Sequence, residues 1–126
     1  MTDKNKEVDK PLFWLASSYE DLKAMPIEVK RFFGFALSLA QKGMCYNKTK
    51  PFKLENESGL FEIVENYDGN TYRAIFTVRY AEAIYVIHCF QKKSPHGIKT
   101  SLQDVNLIRE RLKRLKTIIL EGAKNG

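Results

Sequence analysis

The sequence contains little that would support covalent, metal or nucleotide chemistry. It has only two cysteines, Cys45 and Cys89, and their separation fits neither a zinc site nor a disulfide framework, so we expect two reduced thiols without a chemical role. It also lacks a P-loop, a G-x-S-x-G nucleophile turn and an EF-hand calcium loop. These absences argue against a metal ion or any other cofactor.

Long apolar runs are missing as well. No stretch approaches the roughly 20 apolar residues that a membrane-spanning helix needs. The first ten residues, MTDKNKEVDK, carry three acids and three bases, which is unlike a secretory signal. We therefore expect a cytoplasmic protein with a flexible tail over residues 1–10. Residues 11–126 should form one domain, because 44% hydrophobic residues in a chain of 126 are enough for a single core.

The positive charge is concentrated in the last part of the chain. Residues 1–90 contain 12 bases and 12 acids, whereas residues 91–126 contain nine bases and three acids. The whole net charge of +6 therefore lies after Phe90. Such a one-sided excess attracts polyanions such as RNA, but a solvated basic helix has the same composition. The charge alone leaves both interpretations open.

The periodicity predicts an α+β domain in which an antiparallel sheet packs with N-terminal helices and a C-terminal helix. The predicted elements are, in order, a strand in residues 11–16, a short helix over 18–25, a helix over 26–42 ended by Gly43, a loop over 44–58, a hairpin, a strand over 83–91 and a helix opened by Ser101. Gly34 interrupts the second helix, and we expect it to mark close packing.

The hairpin turn Asp68-Gly69 sets a register that can be tested. It places Val64 opposite Arg73 and gives the hairpin one apolar face. The polar face carries Glu62, Arg73 and Arg79. Because turn chemistry and alternation agree, this hairpin is the most firmly predicted part of the sheet.

Several cations and a histidine could serve a reaction at phosphate. Arg73 and Arg79 lie on the polar face of the hairpin, and Lys92 and Lys93 follow the next strand. Cations held on rigid strands can stabilise the charge of a pentacoordinate phosphorane, as in RNA cleavage by the 2′-OH. His96, in the turn after the lysines, could exchange a proton near neutral pH.

Each of these residues also has a purely structural interpretation. Arg73 can pair with Glu62 across the hairpin. Lys92 and Lys93 can protect a sheet edge from aggregation. His96 can be an ordinary solvated loop residue.

Two further residues lie in the strand over 83–91. Tyr85, or Tyr72 in the hairpin, could stack on a base, and His88 is a secondary catalytic candidate. Strict alternation places His88 on one face with Val86 and Phe90. Core packing is the alternative for both His88 and Tyr85.

Five segments, taken in order, resemble the phage-derived HigB-like branch of the RelE/ParE toxin superfamily. They are WLASSYEDLKAMP, ALSLAQKG, PFKLENESGLFEI, TYRAIFTVRYAEAIYVIHCFQKKS and KTSLQDVNLIRERL. Members share a Tyr-Arg on one strand, a Leu-His-x-Phe on the next, a twin lysine, and a threonine-initiated helix ending in arginine. The matching residues are Tyr72-Arg73, Ile87-His88-Cys89-Phe90, Lys92-Lys93, Thr100 and Arg111. The resemblance covers residues 11–116.

The resemblance implies a RelE-like fold and the toxin of a type II toxin–antitoxin pair. Such a toxin is a metal-independent, ribosome-dependent endoribonuclease that cuts translated mRNA, and a HigA-like helix-turn-helix antitoxin neutralises it. By matching position, Arg73, Lys92 and Lys93 would contact the scissile phosphate, and His96 is a further catalytic candidate. The candidate RNA-binding residues are Arg79, Lys99 and Arg111.

One position departs from the family's pattern. Members commonly have a base after the Leu-Phe-Glu-Leu lead-in, where this chain has Val64 and Glu65, so one phosphate contact is missing. Two alternatives stay open: a ParE-like toxin that inhibits DNA gyrase, and a non-catalytic domain that binds RNA or a protein partner. For the nuclease, we expect Arg73→Ala or Lys93→Ala to abolish toxicity without unfolding the protein, because both side chains are expected at the surface.

Overall fold

Helices cover both faces of a single β-sheet. A computed structural model describes residues 9–92 and 100–125, and it confirms the predicted α+β class. The elements in these ranges are β1 (Leu12–Trp14), α1 (Ser18–Lys23), α2 (Ile27–Gln41), β2 (Thr49–Pro51), β3 (Leu60–Tyr67), β4 (Asn70–Thr77), β5 (Ile84–Lys92) and α3 (Leu102–Asn125).

The strands of the described residues form one mixed sheet in the order β1-β5-β4-β3-β2. Neighbouring strands from β2 to β5 are antiparallel, and β1 pairs in parallel with β5. The predicted hairpin register is confirmed, since Val64 lies opposite Arg73. Asp68 (φ 53°) and Gly69 (φ 80°) both have positive φ, as a two-residue type I′ turn requires.

The prediction of a loop over residues 44–58 is wrong in part, because β2 lies within it. Three residues are too short to show an alternating pattern, and β-propensity depends strongly on context. This segment becomes a strand because the edge of β3 offers backbone hydrogen-bonding partners. In the resulting pairing, Lys50 lies opposite Glu62. The sheet therefore has an edge strand that carries a lysine.

The sheet separates two apolar clusters. On one face, α1 and α2 pack against β-strand residues, with Phe33 and Leu37 of α2 fully buried. On the other face, α3 packs through Ile108 and Leu115 against β4 and β5 residues that include Ile75. Because β4 and β5 are covered on both faces, their side chains are mostly apolar in both directions.

A bulge in β5 changes the face on which His88 lies. The pairing of β4 and β5 skips Ile87, which is an extra residue in β5. A bulge of this kind shifts the alternation of the residues that follow it. The ring of His88 stacks on Phe90 at 4.6 Å on the α3 face, whereas Val86 belongs to the cluster on the α2 face. The prediction that His88 and Val86 share a face is therefore wrong.

Helix α3 begins as predicted. The Ser101 Oγ–H donates to Asp104 Oδ2 at 2.7 Å, and the Asp104 N–H donates to Ser101 Oγ at 3.2 Å, which satisfies an N-terminal donor of the helix. Although α3 has 24 residues, no helix within residues 9–92 and 100–125 is apolar enough over a sufficient length to span a membrane.

The end of the predicted N-terminal tail is attached to α2. The Lys10 N–H donates to Gln41 O at 3.0 Å, and Asp9 forms an ion pair with Lys42 at 2.8 Å. Residues 1–8 of the tail predicted over residues 1–10 lie outside the described part of the chain. The two cysteines are free thiols, as predicted: Cys45 is exposed and Cys89 is buried.

Two glycines should respond oppositely to alanine. Gly34 lies in α2, but a Cβ there would meet open space, so the expectation that it marks close packing is wrong. Gly34→Ala should raise the free energy of unfolding by up to about 1 kcal/mol. Gly59 has φ +75°, and its Cβ would lie 3.1 Å from the backbone of Arg79. Gly59→Ala should lower the free energy of unfolding by more than about 1 kcal/mol.

Urea denaturation of both variants and the parent protein measures these changes. Equal shifts of the two midpoints in the same direction would contradict the two backbone assignments.

Candidate functional site

Four charged side chains from four strands meet on the α3 face of the sheet. Lys50 of β2, Glu62 of β3, Arg73 of β4 and Lys92 of β5 form a group that we call the basic cluster. The register of the sheet brings them together, because Lys50 lies opposite Glu62 and Lys92 lies opposite Thr71, two residues from Arg73 on the same strand. Such diagonal neighbours are within reach of long side chains.

Glu62 is the centre of the basic cluster. Its Oε2 accepts a hydrogen bond from Arg73 Nη1 at 2.9 Å, and its Oε1 lies 3.6 Å from Lys50 Nζ. The side chains of Arg73 and Glu62 are only 7% and 6% exposed, whereas Lys50 is 60% exposed. A buried charge needs a partner, so Glu62 and Arg73 form a fixed pair. Lys50 can turn from Glu62 toward an incoming anion.

Lys92 stands in the electric field of the other members. Burial lowers the pKa of Lys92, and the positive charge of Arg73 lowers it further. The carboxylate of Glu62 opposes this shift of the pKa, and Lys50 adds to it. The effect of a neighbouring cation on the pKa of another cation is repulsion between like charges. Lys92 therefore gives up a proton more readily than an ordinary lysine.

Arg73 does not project from the surface, and the expectation that it does is wrong. The alternative interpretation, a contact with Glu62 across the hairpin, is confirmed as a contact. Removing one partner of a buried ion pair costs about 3–5 kcal/mol, because the other charge stays buried. Arg73→Ala would therefore weaken the fold as well as any activity.

Lys50 is a site residue that the sequence interpretation missed. It lies in a segment that has no strand-like alternation, and its charge belongs to the part of the chain with no net charge. Val64, where a base was expected and missing, lies opposite Arg73. Lys50 brings a positive charge to the same face from the neighbouring strand. Only recognition of β2 could have revealed this.

Arg79 and Tyr85 lie away from the basic cluster, at the end of the sheet where β4 finishes. Arg79 Nη1 is 3.8 Å from Glu57 Oε1, and its guanidinium lies 5.9 Å from the ring centroid of Tyr80. The ring of Tyr85 packs against Phe13 at 5.5 Å and Tyr80 at 5.7 Å. The structure thus does not bring these two candidates together with the cations.

Tyr72 is also separated from the basic cluster, because it is buried in the cluster on the α2 face. Lys93, His96 and Lys99 lie outside the described residues. Their predicted roles stay predictions.

His88 and Arg111 form one polar network. Arg111 Nη1 donates to Ile87 O at 3.0 Å and to His88 Nδ1 at 3.1 Å, while its Nη2 donates to Ser17 Oγ at 3.1 Å. His88 Nε2 lies 2.8 Å from Asp104 Oδ1. A guanidinium can only donate, so Nδ1 is the acceptor and the proton of the neutral ring is on Nε2. The network joins the start of α1, the bulge of β5 and α3.

This network gives both residues a structural role. Arg111 directs its guanidinium to protein acceptors on β5 and at the start of α1. Burial lowers the pKa of His88, with a hydrogen bond to Asp104 that raises it and the charge of Arg111 that lowers it. A second proton on the ring would face the guanidinium of Arg111. His88 is therefore held neutral at physiological pH.

Two cavities of similar size differ in their position and their lining. One of about 330 Å³ adjoins the basic cluster, and we call it the hollow; its lining residues are Pro51, Phe52, Lys53, Glu62, Arg73, Thr100 and Val105. The other, also of about 330 Å³, lies on the α2 face, and Lys10 is the one charged residue in its mostly apolar lining. The hollow combines apolar walls with charges, as sites for polar ligands do.

The buried state of His88 predicts a pH dependence of stability. Because the pKa of His88 is lower in the folded protein than its ordinary value of 6.5, the unfolded chain binds the proton first as the pH falls. The free energy of unfolding should therefore be at its plateau above about pH 6.5 and should decrease below it. In His88→Gln, which cannot titrate, the decrease between pH 7 and pH 5 should be smaller.

Denaturation at a series of pH values measures the free energy of unfolding of both proteins. Carboxylates that titrate in both proteins contribute equally, so they cancel in the difference. Parallel curves would contradict the assignment of a neutral His88.

Comparison with known proteins supplies the family. Residues 20–113 match a family described as "Phage derived protein Gp49-like (DUF891)", whereas no curated protein matches the chain. The matched range is well over half of the chain, runs from α1 into α3, and includes every member of the basic cluster. The chain therefore belongs to the phage-derived Gp49-like family.

Proposed function

We propose that this protein is the toxin of a toxin–antitoxin pair and that it cleaves mRNA on the ribosome. The observation that carries the proposal is the basic cluster, in which Lys50, Arg73 and Lys92 surround a buried carboxylate on rigid strands. Membership of the phage-derived Gp49-like family is consistent with a toxin. The cluster adds a reason for RNA as the target, since fixed cations suit a reaction at phosphate.

The cations divide the work at the phosphate. Cleavage by the ribose 2′-OH passes through a phosphorane that carries more negative charge than the substrate, and fixed cations stabilise that charge. Arg73 supplies a fixed positive charge in the buried part of the basic cluster, where Glu62 holds it in place. Lys50, in the exposed part of the cluster, contacts a phosphate oxygen. Lys93, which follows Lys92 in the sequence, is proposed as a second phosphate contact.

The reaction also needs one proton donor and one proton acceptor. Lys92 is the proposed donor to the 5′ oxygen that leaves, because its lowered pKa brings it closer to the pH of the cell. His96 is the proposed acceptor of the 2′-OH proton, because histidine is the side chain best suited to exchange a proton near neutral pH. No metal ion or cofactor is needed for these steps.

The proposed partners are the ribosome with its translated mRNA, and a HigA-like helix-turn-helix antitoxin. Residues 91–126 carry the whole net charge of +6, and Arg109 and Lys113 on α3 are exposed. These side chains add positive charge that attracts RNA, and Lys99 is proposed as a further RNA contact. Arg111 contributes less, because its guanidinium binds groups within the protein.

The nuclease function predicts cuts in translated mRNA. Induction of the protein in cells, followed by mapping of mRNA 5′ ends, should show cuts in a reporter mRNA and none in the same reporter without a start codon. Growth arrest with intact mRNA and a DNA-damage response would instead indicate a gyrase inhibitor. Salt-sensitive RNA binding without cuts or arrest would indicate a non-catalytic domain.

Lys92→Arg separates proton donation from simple charge. Arginine keeps the positive charge but does not release a proton at any physiological pH. If Lys92 is the proton donor, both Lys92→Arg and Lys92→Ala should lose about 10²-fold or more in the single-turnover cleavage rate on ribosomes. A Lys92→Arg variant with nearly parental rate would show that Lys92 acts through charge alone.

Lys50 and Lys48 form a matched pair for a second prediction. Lys50→Ala removes a cation from the basic cluster and should lower the cleavage rate by about 10²-fold. Lys48→Ala removes the same charge two residues away. Because Lys48 pairs at 2.7 Å with Glu65, whose side chain is only 3% exposed, this variant should melt at a lower temperature, but at a temperature where it is folded its rate should stay within about 3-fold of the parent. Melting temperatures should be measured for both. Lys23→Ala, on exposed α1, is a further control. Equal losses in all three variants would exclude a specific role for Lys50.

A further inference from the structure

We propose that the hollow is a nucleobase subsite, which takes the base of one nucleotide while the basic cluster holds the adjoining phosphate. The inference rests on the proposed function for the identity of the ligand as RNA. It assigns to the hollow the part of the substrate that carries sequence information.

The hollow has the right position for a base. Glu62 and Arg73 belong both to its lining and to the basic cluster. A phosphate bound at the basic cluster would therefore lie next to the hollow. Lys50 and Phe52 are two residues apart in one extended segment, so both side chains lie on the α3 face.

The lining has the right chemistry as well. A nucleobase has apolar faces and polar edges, and proteins that bind single-stranded RNA stack the faces on aromatic rings while they hydrogen-bond the edges. Phe52, Pro51 and Val105 supply apolar walls, and the Thr100 hydroxyl and the Lys53 ammonium supply polar groups.

Phe52 is well suited to be the stacking surface. It is half-buried and packs against the apolar cluster on the α3 face, so its ring is supported from behind. Its N–H donates to Leu60 O at 3.0 Å, which fixes its backbone against β3. A ring that is already held in place loses little freedom when a base stacks on it.

The lining favours the hollow over the cavity on the α2 face and over the cleft beside His88. Its volume of about 330 Å³ is at the lower end of the range for small-molecule sites and suits a single base. The cavity on the α2 face is mostly apolar and offers little to the polar edges of a base. A larger cleft of about 540 Å³ beside His88 is lined by Asp21 and Asp104 and, among the described residues, by no lysine or arginine, so no cation in this lining offsets the repulsion between these carboxylates and a phosphate.

The test compares RNA with and without a base. The probe is a fluorescein-labelled 2′-O-methyl tetranucleotide, which has no nucleophile and is not cleaved, together with four versions that each lack one base. Fluorescence anisotropy measures their binding to the intact chain. For the parent protein, one of the abasic versions should bind about 5-fold to 150-fold more weakly than the full tetranucleotide, since each stacked base contributes by this amount.

Four variants, one of them a control, test which residues are responsible. Phe52→Ala should bind the full and abasic versions equally, with an unchanged salt dependence. Lys50→Ala should weaken the binding of both versions alike and reduce the slope of log K against log salt by about one. Phe35→Ala, which removes a ring that is 55% exposed on α2, should behave like the parent. Phe52→Leu keeps an apolar side chain but no aromatic face, and it replaces Phe52→Ala if that variant does not fold.

The inference would be overturned if the parent protein bound the full tetranucleotide and all four abasic versions with the same affinity. It would also be overturned if Phe52→Leu kept the parental difference in affinity between the full and the abasic RNA. The proposed function fails separately. If the ribosome experiments show no cuts but the base-dependent binding is present, the hollow stands as an RNA-binding subsite without catalysis. Cuts with no base-dependent binding would leave the nuclease and remove the subsite.

Discussion

A buried ion pair between Glu62 and Arg73 is the constraint on which the α3 face depends. Each charge is nearly excluded from water, so neither is tolerable without the other. Their strands, β3 and β4, are joined by a tight turn, which holds the pair at a fixed position in the sheet. The carboxylate of Glu62 therefore has a fixed position between the exposed Lys50 of β2 and the half-buried Lys92 of β5.

The two faces of the sheet consequently have different purposes. The α2 face is mainly apolar, apart from the buried Glu65 that pairs with Lys48, and it supplies packing. The α3 face is apolar only where α3 lies on it and becomes charged beyond the start of that helix. The network of His88, Asp104 and Arg111 lies at this boundary and attaches α3 to β5. By fixing where α3 begins, it also fixes one wall of the hollow.

The positions most reminiscent of the toxin family therefore serve different ends in this chain. Arg73 and Lys92 belong to the basic cluster on the charged part of the α3 face. His88 and Arg111 hold elements together, because their nitrogen atoms bind protein groups at both ends of the network. The motif that resembles the family includes both residues of the charged face and residues that hold elements together. Only their contacts in the structure distinguish the two.

The sequence by itself determined the α+β class, the hairpin with its register, the bounds of α2 and the capped start of α3, because each depends on local turn chemistry or on periodicity within one element. Only the tertiary structure decided that Lys50 belongs to a strand, that His88 changes face, and that Arg73 is buried. The reason is physical. An edge strand forms on the backbone of its neighbour, a bulge arises where two paired strands do not match in length, and burial depends on neighbours that are distant in sequence.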